Sequence, residues 1–216
     1  ISEKLKHRGP NKEGFWKNEN IFFAHRRLSI NDLSENGNQP MVSASGRYII
    51  LYNGEIYNFK NLRSNLEKDG FKLRGRSDTE VILGLIDSIG FKNAIKKLNG
   101  MFAFALFDKK LNKIFLIRDN TGQKPLYFHI NSETLFFTSE LRGLELLGID
   151  TKISEDAISL FFKLSYIPAP LTIFQNVYKL DKGKYLELNL NEFEYTINKF
   201  ERDANIFEFS DKTYDN

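Results

Sequence analysis

Two neighbouring runs, MFAFALFD at 101–108 and KIFLIRD at 113–119, carry an apolar side chain at nearly every position. A strand turns successive side chains to opposite faces, so runs like these need apolar cover on both sides. DKKLNK joins them, and two more β-rich runs follow, PLYFHI and TLFFTSE, with NTGQKP and NSE between. Upstream, IFFAHRRL at 21–28 reads as a strand entering the loop NDLSENGNQP, and RYIILYN at 47–53 as a strand running into Gly54. Helical spacing comes next. Phe59, Leu62 and Leu66 share one face and stop at Gly70. Ser77 and Glu80 form a capping box ahead of Val81, Ile82, Leu85, Ile86 and Ile89, and a short helix around Ala94, Ile95 and Leu98 ends at Gly100. Ser154 caps a helix through Phe161 and Phe162, YIPAPLTIF is a proline-stiffened loop, and KYLELNL at 184–190 is the last strand. The fold class expected from the residues is α+β, antiparallel sheets stacked on each other with helices outside.

Charge sets a boundary. The net charge is +3 over 216 residues, but from Asn191 onward seven acids face three bases, so the first 190 residues carry +7. Residues 1–190 therefore read as one domain and 191–216 as a linker, or the start of whatever follows. The excess of base has no dense run, which argues against nucleic acid. No apolar stretch of about 18 residues offers a membrane span, and ISEKLKHRGP lacks a secretory core. The chain has no cysteine, which excludes disulfides, thiolate metal sites and a thiol nucleophile within these residues and fits a cytoplasmic setting.

Generic catalytic and nucleotide motifs are absent, and His7, His25 and His129 do not have zinc spacing. What remains is a set of polar, glycine-bearing strand ends: HRGP at 7–10, HRRLSI at 25–30, YNGEIYN at 52–58 and RSDTE at 76–80. Taken together they describe a ligand. Arg27 could hold a carboxylate by a two-pronged fork. Glu55 and Asp78 could hold an ammonium group. The Asn53 amide and the Gly54 N–H make a pair of neutral donors for a developing oxyanion. An amino acid with an attackable amide satisfies all three. Each piece has a plain alternative: Arg27 as a surface ion pair, Asp78 as an N-cap, Asn53–Gly54 as a turn.

HRGP, HRRLSI, QPM, YNGEIYN, SDTE, LNGMFAFALFD, RDNTGQKPLYF, SELRGL and YIPAPLTIF follow in the order and spacing of class II glutamine amidotransferase domains. Over residues 1 to 190 the chain most resembles the N-terminal domain of glutamine-hydrolysing asparagine synthases, with YIPAP and KLDKG favouring that branch. The resemblance implies a four-layer αββα sandwich of the N-terminal-nucleophile type, lacking its first elements. It implies that Arg27 binds the glutamine α-carboxylate, that Leu28 and Ile30 line the pocket, that Asn53 and Gly54 form the oxyanion hole, and that Glu55 and Asp78 hold the α-amino group. The nucleophilic cysteine is expected before Ile1, so this segment alone is expected to be inactive. No cofactor is expected in this domain. ATP and magnesium belong to a C-terminal synthetase domain in cis, and a homodimer is allowed. One departure is Asn11 where the family's turn reads RGPD. The alternatives are a scaffold domain of the β-lactam synthetase type, or a class II amidotransferase feeding another acceptor.

Overall fold

The computed structural model describes residues 2–28, 34–145, 147–149 and 151–203. A hairpin of β1 (Lys12–Lys17) and β2 (Phe22–Arg27) is followed by the two-residue β3 (Met41–Val42) and the long β4 (Tyr48–Ile56). Helices α1 (Phe59–Lys68), α2 (Asp78–Ile89) and α3 (Phe91–Lys97) come next, then β5 (Gly100–Asp108), β6 (Lys113–Arg118), β7 (Tyr127–Ile130) and β8 (Leu135–Thr138). The remainder is α4 (Arg142–Glu145), α5 (Glu155–Leu164), β9 (Tyr178–Lys179), β10 (Lys184–Asn189) and β11 (Glu194–Lys199).

The doubly apolar strands decide the layering. Six strands pair antiparallel in the order β11-β10-β6-β5-β4-β3. On one face Ile50, Phe104, Leu106, Phe115 and Ile117 pack with Leu66, Val81, Ile82, Ile86 and Ile95 of the helices. On the other, Ile49, Leu51, Ala105, Phe107 and Leu116 meet Phe23 of β2 and Phe128 of β7. Each fully buried Leu, Ile, Val or Phe among these contributes about 1.5–3 kcal/mol. The three-stranded sheet β8-β7-β9 is covered in turn: Tyr127 and Phe136 pack against Leu144 and Val177. The architecture is thus α+β, helices over a sheet, then a second β layer, then further helix.

Several details differ from the sequence expectation. The second β layer is in two pieces, the β1–β2 hairpin and the three-stranded sheet. Residues 184–190 are not the last strand, because β11 pairs with β10 across its whole length and carries the sheet to Lys199. The packed structure therefore runs past residue 190, where composition set the linker. As an edge strand with Tyr195 and Ile197 exposed, β11 shows no buried pattern and lies within an acid-rich stretch that conceals it. β1 was hidden in the same way. The capping box at α2 is half formed. The Ser77 hydroxyl accepts from the Glu80 N–H, but the Glu80 carboxylate takes the N–H groups of Arg74 and Gly75, both at 2.7 Å.

Candidate active site

The site is built on the free edge of β4. Backbone groups of alternate residues point to alternate sides of a strand, and those of Tyr48 and Ile50 serve the β3 side. β3 is short because Pro40 precedes it and has no N–H to continue the ladder. Beyond it Tyr52, Gly54 and Ile56 face outward with no strand of the described residues beside them. Side chains cap two of these three. The Tyr52 N–H donates to Gln39 Oε1 at 2.6 Å, and the Tyr52 carbonyl lies 3.3 Å from His25 Nε2. The Ile56 N–H donates to Asp78 Oδ2 at 3.1 Å. Among the described residues the N–H of Gly54, between them, has no such cap. Glycine is required there, since a Cβ would lie 2.2 Å from the Met101 carbonyl oxygen of β5.

Around this open position lie the expected polar groups. Arg27, Leu28, Asn53, Gly54, Glu55 and Asp78 all line one cleft of about 1060 Å³. The cleft continues inward past Phe23, Leu51, Ala103 and Phe137 between the β layers. Ile30 lies outside the described residues. Half-buried Asn53 and Glu55 make no side-chain hydrogen bond or ion pair among the described residues. Arg27 is buried and aimed by its neighbours, donating from Nη1 to the Ser34 carbonyl and to Asn38 Oδ1, each at 2.8 Å. A Cβ at the neighbouring Gly37 would meet Nη2 at 2.2 Å, so any side chain there would push the guanidinium out of this position.

Asp78 is not an N-cap; Ser77 is. Asp78 Oδ2 accepts from the Tyr52 hydroxyl at 2.7 Å as well as from Ile56, and Oδ1 accepts from the Thr79 N–H at 3.0 Å. A carboxylate offers about four acceptor positions, so one is left. Burial pushes the Asp78 carboxyl above its usual range despite these donors, and burial likewise raises the Tyr52 hydroxyl, which stays a donor. A cation beside Asp78 would reverse that shift.

Two arginines named with the motifs also border the cleft but are taken up in ion pairs. Arg26, one residue from Arg27 and so on the opposite face of β2, pairs with Glu3 at 2.6 Å and Glu13 at 2.9 Å. Arg8 of HRGP pairs with Glu140 at 2.8 Å on an exposed rim. Sequence reasoning missed Ser34, Asn38, Gln39, His25 and Tyr52 as parts of the site. Gln39 stood in QPM and His25 in HRRLSI, but neither spacing shows which backbone group a side chain reaches.

The glutamine amidotransferase domain family matches residues 1–201. The chain belongs to that family. A Methanocaldococcus jannaschii protein provisionally named glutamine-hydrolysing asparagine synthetase 2 is 40% identical, covering 90% of this chain and 41% of its own length. Bacillus subtilis asparagine synthetase (glutamine-hydrolysing) 1 is 36% identical, covering 85% of this chain and 29% of its own. The chain therefore spans well under half the length of these relatives. Among solved structures, the B. subtilis glutamine phosphoribosylpyrophosphate amidotransferase complexed with ADP and GMP superposes with a TM-score of 0.61 at 19% identity. That match covers 83% of this chain and 35% of that one, and at such identity it speaks for the fold. The family expected from the motifs and the stacked-sheet sandwich are both found. Among the described residues no helix is long and apolar enough to cross a membrane.

Proposed function

We propose that this amidotransferase domain is the glutamine-hydrolysing part of a glutamine-dependent asparagine synthetase, supplying ammonia to an ATP-dependent domain of the same polypeptide. The observation that carries the reading is the open Gly54 rung, beside an Asn53 amide with no partner among the described residues, in the same cleft as a held arginine and two acids. In this reading Arg27 grips the glutamine α-carboxylate, while Glu55 and the spare acceptor of Asp78 hold the α-ammonium. Leu28 borders the same pocket, and Ile30 is assigned there from sequence alone. The side-chain carbonyl oxygen then lies between Asn53 and the Gly54 N–H.

A thiolate adds to the amide carbon, and the negative charge that develops on oxygen is met by those two donors. The proton the thiol gave up passes to the amide nitrogen, collapse expels ammonia and leaves a thioester, and water hydrolyses the thioester to glutamate and the free thiol. None of the 216 residues is cysteine, so the thiol comes from outside them. Among the described residues no three His, Cys, Asp or Glu side chains group as metal ligands. We assign ATP and magnesium to the other domain, and no step here runs through them.

The full-length protein is tested for ammonia release from glutamine and for asparagine synthesis from glutamine or from ammonia. Arg27→Ala should raise the glutamine KM about 30-fold or more, the loss of a charge-assisted fork, and leave ammonia-dependent synthesis intact. An equal fall in both reactions would make Arg27 structural. The 216-residue segment alone should release no ammonia above a buffer blank.

A further inference from the structure

We propose that His25 is a positioning residue that, together with Gln39, takes the place of a neighbouring strand at Tyr52 and so fixes the Asn53–Gly54 donors. The proposal rests on the glutamine-hydrolysing reading of the site.

A carbonyl oxygen only accepts, so the contact of His25 Nε2 with the Tyr52 carbonyl at 3.3 Å requires the proton on Nε2. That carbonyl belongs to the peptide plane joining Tyr52 to Asn53. The N–H of the same residue is held by Gln39 Oε1 at 2.6 Å, and Gln39 Nε2 reaches Thr79 Oγ1 at 3.4 Å near the start of α2. Two side chains thus satisfy the whole outward-facing backbone of Tyr52, as a paired strand would. The Asp78 bond to Ile56 does the same on the far side of Gly54. The open position is pinned at both ends. A strand laid along this edge would also satisfy Tyr52, but it would occupy the Gly54 N–H. Side-chain caps hold the backbone and leave that donor exposed.

The arrangement is costly for the histidine. Its Nδ1 is buried and has no partner among the described residues. Burial lowers its pKa to about 4, with the nearby Arg27 charge acting in the same direction. The ring is therefore neutral at physiological pH and Nδ1 is a bare acceptor. A buried polar atom without a partner is unfavourable, so stability alone does not account for a histidine here. Its other nitrogen does, through the carbonyl it orients.

Two substitutions separate this role from packing. In His25→Leu the apolar volume stays and the donor is lost. In His25→Gln an amide N–H can reach the same carbonyl. With the full-length protein, His25→Leu should lower kcat for glutamine hydrolysis about 10-fold or more. The glutamine KM should stay within about threefold and ammonia-dependent synthesis should be unchanged. His25→Gln should recover most of kcat. Independently of activity, ¹⁵N NMR should find the proton of His25 on Nε2, and the Gly54 amide resonance should move in His25→Leu but hold its place in His25→Gln. A proton on Nδ1, an unchanged kcat in His25→Leu, or equal loss in both variants would overturn the assignment. A wild-type protein that releases no ammonia but carries the Nε2 proton and the Gly54 response would remove the functional reading and leave the positioning intact.

Discussion

Two glycine-bearing strand ends, YNGEI at 52–56 and RDNTG at 118–122, look alike as sequence and are built to opposite plans. At the second, the buried Asp119 carboxylate accepts from the N–H groups of Phe102, Thr121, Gln123 and Lys124 and from the Thr121 hydroxyl. Burial pulls its pKa up, but these donors outweigh it and hold the carboxyl below its usual range. Arg118 beside it donates to the carbonyls of Lys124, Leu180 and Gly122. Its hydrogen bonds are spent within the fold. At the first, among the described residues, Asn53 and Glu55 are unpartnered, Gly54 is uncapped, and Asp78 has three donors where Asp119 has five; burial raises its pKa. A polar cluster that satisfies itself is scaffold, whereas one held rigid with donors and acceptors to spare is ready for a ligand.

The largest effect that would break this contrast is on stability. Asp119→Ala strands the N–H groups of buried Phe102 and half-buried Lys124 and turns those of exposed Thr121 and Gln123 to water, and should cost about 3 kcal/mol or more, read as a urea midpoint shift. Its kcat per folded molecule should hardly change. A large kcat loss in a well-folded variant would place Asp119 in the catalytic machinery.

Asn53→Ala should do the reverse. Its amide bonds to nothing in the described fold, so the melting temperature should stay within a few degrees. Glutamine-hydrolysis kcat should fall about 10²-fold, the usual loss for one oxyanion donor, with KM little changed. A folded variant with near wild-type kcat would leave the Gly54 N–H as sole donor.

The smallest effect concerns acid. His25 is depressed to about 4 from 6.5, so between those values the unfolded chain binds a proton that the native state refuses. Stability should therefore fall as pH drops through this window, by at most about 3 kcal/mol. Asp78 has the opposite sign. Its raised pKa means the native state takes up a proton first, so acid relieves its burial cost. The acid loss should accordingly flatten in His25→Leu when urea midpoints are followed from pH 6.5 to 5, and Asp78→Asn should remove the opposing gain as pH falls on toward the ordinary carboxylate range. A slope unchanged in His25→Leu would mean that some other group carries it.

Much of this was legible in the residues. The strands at 101–108 and 113–119 announce two covered faces, because a period of two leaves no other use for unbroken apolar runs. The motifs naming Arg27, Asn53, Gly54, Glu55 and Asp78 mark residues that the fold does bring to one cleft. Edge strands were not legible, since exposed β11 and β1 bury too little to leave a pattern.

The sequence by itself determined which groups carry charge, which strands must be buried on both faces, and where a proline stops a ladder. Only the tertiary structure decided which polar groups are left unsatisfied. Partners 13, 22 and 27 residues apart, Gln39 to Tyr52, Asp78 to Ile56 and His25 to Tyr52, meet across separate elements. Whether a donor is taken or open is a property of that meeting, and no local spacing encodes it.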